Sequence, residues 1–419
     1  MSVITLTMLE AKMHFCLPKS KSCTVVVIVL LYFIMLWPTS SKSEINSSTF
    51  DIILYYAIIN LLLLFLFILN GYDQRCMIWS IIMMIYLFIS TLISSVTLGT
   101  NFSLARFAPV CTIMLIMMTD LKYSLDEHLF IKSLDLLILL IIIGNIGIIL
   151  GIGPVKDFFL NNYSQFSRYT VLMHIHSRKP IFTTGAHNYG ACIYFIIYSL
   201  IYVVYKSQIH SKKRHFIYLV IFIVFTLMLR SSTGIVMSIF MTALILKETQ
   251  KRYRVPFVMA IVFVIVLYFM MNWRQIDIDI LQRLVIGNEN NGFLARYTGS
   301  LFANNLIVLG KTILGIGFTI PREYAVYYAD SGFLVYLTMG SIPFVIFLYY
   351  RFKQFCNKNY ASLSNIFFFA LILVEFAIPS LLYSKIQVLI FILAFCIRSF
   401  MKSQQENEQV QGFASYRID

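Results

Sequence analysis

From Thr24 onward the chain is a succession of apolar runs, each broken by a short polar stretch. About 12 of them approach the roughly 20 residues needed to cross a hydrocarbon core as helix. The first half supplies Thr24 to Trp37, Ile52 to Asn70, Met77 to Leu98, Phe107 to Met118, Leu134 to Ile152 and Tyr189 to Tyr205. The second half supplies Phe216 to Leu229, Gly234 to Leu246, Pro256 to Asn272, Gly332 to Tyr350, Leu363 to Tyr383 and Ile386 to Phe400. Strand-like alternation is absent, which argues against a membrane β-barrel. The expectation is an all-α, polytopic membrane protein with its whole length in one transmembrane domain. The pair on either side of Arg230 reads either as two short spans or as one interrupted element.

Two polar stretches are longer than the others, Gly153 to Asn188 and Trp273 to Ser331. Both exceed the roughly 12–15 residues beyond which an unstructured loop is unusual and often functional. The tail 401–419 is polar and reads as disordered. Neither an internal repeat nor a cleavable leader is evident. The first apolar run is expected to stay as a helix.

Composition agrees with the pattern, since 59% of the 419 residues are hydrophobic and only 12% charged. Soluble domains carry about 25% charged residues. A net charge of +14 would raise nucleic acid as a partner of a soluble chain. Here, cytoplasmic enrichment of Lys and Arg explains most of it. With the N-terminus inside, 20 of the 33 basic residues fall on cytoplasmic segments. Both termini are therefore expected in the cytoplasm, and both long loops on the opposite side. Outside those loops the far side keeps only Lys42, Arg106, Arg230 and Lys385. Trp37, Trp79 and Trp273 lie at span ends, where an interfacial indole belongs. The seven cysteines lie in or beside spans and imply no disulfide framework.

The far-side loops hold nine basic residues, among them Arg178, Arg296 and Arg322. A guanidinium fork matches phosphate oxygens, so the set suits a phosphorylated ligand at the membrane surface. The alternative for each arginine alone is a lipid headgroup or an acid such as Asp277, Asp279 or Glu289. His174, His176 and His187 gather in the first loop, but no carboxylate lies near in sequence to support a metal, and none is expected. His187, in "GAHNYG", is a candidate proton acceptor at a helix mouth; an interfacial histidine in contact with water is the plainer alternative. "RSSTG" places Arg230 between two apolar runs, where a charge needs water or a counter-charge, and it suits an anionic head group. A simple polar turn is its competitor.

Three segments carry a resemblance: "MLRSSTGIVMS", "FLARYTGSLFANNLIVLGKTILGIGF" and "ADSGFLVYLTMGSIPFVIFLYY". In this order they resemble the O-antigen polymerase (Wzy-type) family of lipid-linked glycosyltransferases, with local motifs from about Arg230 onward. The resemblance implies a bacterial inner-membrane enzyme that joins undecaprenyl-pyrophosphate-linked oligosaccharide repeats on the periplasmic face and releases undecaprenyl pyrophosphate. It implies pyrophosphate contacts from Arg178, Arg230, Arg296 and Arg322, with backbone approach at Gly315 and Gly317. Asp330, Glu323 and His187 are the candidate bases, with Arg296 in the catalytic set and no cofactor. Partners would include the bilayer, a flippase and a chain-length regulator. An Arg-X10-Gly loop motif of some members has no clean counterpart, because the glycines after Arg178 are Gly185 and Gly190. An O-antigen ligase shares the donor chemistry. A flippase for lipid-linked sugars differs in expecting short outer loops and charges along a central path.

Overall fold

A computed structural model describes residues 19–37, 50–163, 168–207, 212–248, 259, 307, 310–320, 331–360, 363–376 and 378–415. The helices are α1 (Lys19–Leu36), α2 (Phe50–Asn70), α3 (Gln74–Leu98), α4 (Leu104–Met118), α5 (Glu127–Leu150), α6 (Gly153–Tyr163) and α7 (Arg168–His176). They continue as α8 (His187–Ser207), α9 (Lys212–Met228), α10 (Ser232–Glu248), α11 (Gly332–Asn359), α12 (Ser364–Glu375) and α13 (Ser384–Ser415). Strands β1 (Asn101–Phe102) and β2 (Thr319–Ile320) pair antiparallel, Asn101 opposite Ile320 and Phe102 opposite Thr319. Among the described residues, six helices are long and apolar enough to cross a membrane: α1, α2, α3, α5, α8 and α11. The expected span from Pro256 to Asn272 lies outside the described residues, apart from Met259.

The amount of each helix that is buried follows its place in the bundle. α8 is apolar on every face, and 83% of its most apolar stretch is buried, as expected of a central helix. It packs against α9, α10 and α13. In α13, Ile386 to Cys396 are buried without exception. In α3 only 28% of the corresponding stretch is buried, and Ile78, Ile82, Ile85, Ile89, Leu92 and Val96 are exposed. Side chains three or four apart share a helix face, so this is a continuous apolar strip, suited to lipid. The α3 start is capped by Asp73, which accepts from the Arg75 and Cys76 amides at 3.0 and 3.1 Å. Gly99 ends α3 in the left-handed region at φ 58°, where glycine avoids a Cβ penalty.

Several elements depart from expectation. The first long loop is mostly helical, as α6 and α7, and α8 opens at His187. The residues around Arg230 form two helices, α9 and α10, joined by a tight turn. Arg230 takes φ 53°, and the Ser231 hydroxyl accepts from the Gly234 amide at 2.9 Å. α11 is broken at Gly340 and Ser341, the latter at φ 54°. The run from Leu363 to Tyr383 does not persist as one helix: α12 stops at Glu375, and a 3-10 turn occupies Ser380–Leu382. The tail expected to be disordered instead continues α13 as far as Ser415. Its polar residues, rich in Gln and Glu, are good helix formers and extend a helix already nucleated in the core.

Charges lace the end of the bundle where most basic residues were expected. Asp120 accepts from Lys358 at 3.1 Å and lies 3.5 Å from Arg398. Asp135 pairs with Arg214 and lies 3.1 Å from His215. The opposite end holds the candidate site.

Candidate functional site

The segment between α7 and α8 is held by groups from the core. Buried Asn145 on α5 accepts from the Phe182 amide at 2.9 Å and donates to the Tyr194 hydroxyl at 2.8 Å. That hydroxyl donates to the Pro180 carbonyl at 2.7 Å. Arg178 and Thr183 both sit in the left-handed region, at φ 53° and 68°, a conformation non-glycine residues adopt only when their surroundings impose it. The result sets His187, the first residue of α8, against His174 on α7. His187 Nδ1 lies 3.1 Å from His174 Nε2, and the rings meet edge-on at 74°. Burial, with the Lys179 ammonium as the second cause, pushes the His174 imidazole down to about 4. His174 is therefore neutral at pH 7 and able to accept from a His187 Nδ1–H. In that tautomer His187 Nε2 carries the lone pair.

The basic groups that the sequence placed on the far side differ in burial. Lys385, in the first turn of α13, is fully buried. Its ammonium donates to the Trp37 and Thr183 carbonyls at 3.1 and 3.0 Å. Arg106 on α4 is only 5% exposed. Arg230 is half-buried. It follows Leu229, whose Cδ1 would stand 3.5 Å from a Cβ on Gly190, one turn into α8 from His187. Arg178 is exposed.

Glu375, in "ILVEFAIPS", is a charge inside an apolar run. Its carboxylate is fully buried where α12 ends. Oε1 accepts from the Ser380 hydroxyl, from the Tyr336 hydroxyl at 3.1 Å and from the Leu381 amide at 3.1 Å. Among the described residues Oε2 has no hydrogen-bond partner, and a Cβ on Gly332 would stand 1.6 Å from it. Only glycine at the mouth of α11 leaves room for this carboxylate. The adjacency could not be found from the sequence, since Gly332 and Glu375 lie on different helices.

The Gly315 and Gly317 turn lies within the described residues. Both glycines have positive φ, 86° and 57°. A Cβ at Gly315 would meet the Met339 carbonyl at 2.6 Å; one at Gly317 would meet Thr91 Oγ1 at 2.2 Å and the Leu87 carbonyl at 2.5 Å. The Gly317 and Ile316 amides donate to the Met339 and Thr338 carbonyls, and the Gly315 amide to Thr312. The close approach these glycines permit is thus to the backbones of α3 and α11, and their amides are already engaged. The loop is clasped further by Tyr86, whose hydroxyl lies 3.1 Å from both the Leu314 and the Gly340 carbonyls.

Arg296, Arg322, Glu323 and Asp330 lie outside the described residues. Helix α11 takes Ser331 as its N-cap residue. His176 is exposed at the end of α7 and stays apart from the histidine pair's hydrogen bond. Among the described residues, no three His, Cys, Asp or Glu side chains gather as a metal site. Compared with known proteins, the chain matches no family model, no curated protein and no solved structure.

Proposed function

We propose that this chain is a lipid-linked glycosyltransferase of the O-antigen polymerase type. In this proposal it lies in a bacterial inner membrane, crosses it about 12 times, and keeps both termini in the cytoplasm. The observation that carries the proposal is the histidine pair at the mouth of α8, with Lys179 and Arg178 beside it in sequence and Lys385 tied to the same segment. A proton acceptor next to cationic groups at one end of an apolar bundle is what transfer from a lipid pyrophosphate requires.

The chemistry is a displacement at the anomeric carbon of the donor sugar. A hydroxyl at the non-reducing end of the acceptor repeat attacks that carbon, and its proton passes to His187 Nε2, with His174 orienting the ring. The bond from the anomeric carbon to the phosphate oxygen breaks, and its electron pair leaves with undecaprenyl pyrophosphate. Arg296 and Arg322, from the second long loop, stabilise the charge on the leaving group; Asp330 and Glu323 are the competing bases. Gly315 and Gly317 pack against α3 and α11 with their amides engaged, and the proposal assigns them no ligand contact.

A second assignment has specific support. Buried Glu375, Lys385 and Arg106, together with the breaks in α11 and after α12, are features of a transporter path. Purified protein in liposomes, supplied with an undecaprenyl-pyrophosphate-linked repeat, separates the two. The polymerase yields a ladder of repeat multiples and free undecaprenyl pyrophosphate. A flippase moves the intact lipid across the bilayer and lengthens nothing. Transfer to lipid A-core without lengthening would identify a ligase instead.

A further inference from the structure

At the end of the bundle opposite the histidine pair, the α3 start, the α4 end and the last turns of α11 enclose a cavity of about 350 Å³. Its lining is charged. Asp73 and Asp120 face Arg75, Arg351 and Lys358, and Arg398 closes on Asp120 from α13. The carboxylates are already matched, since Lys358 lies 3.1 Å from Asp120 and 3.6 Å from Asp73. Among the described residues, neither Arg75 nor Arg351 has a carboxylate partner. Arg351 donates to Gln354 at 2.8 Å, and its guanidinium stands 5.5 Å above the Trp79 ring and 5.7 Å from that of Tyr350. Asn359 is buried in the same lining, and among the described residues its Oδ1 has no hydrogen-bond partner. The site therefore offers two cations without a carboxylate partner among the described residues, while Asn359 Oδ1, an acceptor, suits a hydroxyl of the occupant and not a phosphate oxygen.

Its surroundings say which anion it suits. Trp79 is 50% exposed and Tyr350 56% exposed, as interfacial aromatics are at a membrane surface. From Trp79 the exposed strip of α3 runs on through Ile82, Ile85 and Ile89. A phosphate between the two arginines would have its apolar chains continue onto that strip. A soluble phosphate would make no use of it.

We infer that this cavity is a binding site for the phosphate of an anionic membrane lipid, with Arg75 and Arg351 as its cationic contacts and the α3 strip as the seat of the acyl chains. The site lies away from the histidine pair and does not depend on the glycosyltransferase assignment. Guanidinium forks suit a phosphodiester, and each basic side chain at a membrane surface strengthens anionic-lipid binding about fivefold.

The test is native mass spectrometry of the full chain released from nanodiscs of phosphatidylcholine containing phosphatidylglycerol. Phosphatidylglycerol should be retained in preference to phosphatidylcholine. Arg75→Gln and Arg351→Gln should each lower that retention about fivefold. Arg214→Gln, an exposed arginine already paired with Asp135, should leave it unchanged. Arg75 is exposed, so its variant tests the site without threatening the fold. Unchanged retention in Arg75→Gln and Arg351→Gln, or an equal loss in Arg214→Gln, overturns the inference. So does inorganic phosphate displacing phosphatidylglycerol from the native chain, because the occupant would then be a soluble phosphate.

Discussion

His174 sits where protonation is opposed, both by burial and by Lys179. Its folded pKa, about 4, lies below the ordinary value of 6.5, so the unfolded chain binds the proton more readily. Stability from this group is complete above pH 6.5 and is lost as pH falls through that value toward 4. The thermal midpoint of the native protein should therefore drop between pH 7 and pH 5, and His174→Gln should flatten that part of the dependence. An equally steep variant would show that other groups control it. For the reaction, His187→Gln should lower repeat transfer by about 10²–10⁴ at matched protein levels, the usual contribution of a general base. Normal transfer would hand the role to Asp330 or Glu323. Asp330→Asn keeps the shape of the side chain but removes its ability to take up a proton, so it should lower transfer if Asp330 is the base. Arg296→Lys keeps the charge but not the fork, and should cost about 10²–10³ in rate if that side chain grips pyrophosphate.

Gly317 governs how the segment 310–320 meets two helices. Gly317→Ala adds a methyl 2.2 Å from Thr91 Oγ1 and 2.5 Å from a main-chain carbonyl, at φ 57°. The helix backbone cannot yield cheaply, so this change should destabilise the protein by about 2 kcal/mol or more. Thr91→Ala would not rescue it, because the Leu87 carbonyl remains. Melting of the two variants and their combination in detergent checks this. The Gly-X-Gly turn was conspicuous in the sequence, yet its partners were not, because Leu87, Thr91 and Met339 look like ordinary span residues. The helices around it were more legible. Apolar runs placed α2, α3 and α4 to within a few residues, since one period and one length govern any helix in lipid. The breaks were less so: Ser341 and Pro379 lie in apolar stretches whose hydropathy alone reads as continuous span. The helical tail was misjudged because composition reports solubility, whereas helix continuation depends on what precedes it. In the site, His187 was evident as a polar residue at a helix mouth. Its bond to His174 rests on a turn fixed by Asn145, a buried side chain from a different helix.

The whole molecule places the two kinds of polar chemistry at opposite ends, with the ion pairs of Asp120 and Asp135 at one and the histidine pair at the other. If basic residues set the orientation, the Asp120 end is cytoplasmic. Phosphatase fusions after Tyr163 and after Asn290 should then be active as periplasmic reporters, and inactivity at either point would reverse the arrangement. The clasp on Leu314 has a consequence for how such a chain is made. Tyr86 reaches Leu314 across 228 positions and Gly340 across 254. Early helices thus enter the membrane with a binding groove whose filling has yet to be synthesised. A ribosome must deliver most of the protein before that groove can close. Chains halted before Gly340 should linger as half-assembled intermediates, recognisable to membrane proteases, whereas slightly longer ones should survive a pulse-chase.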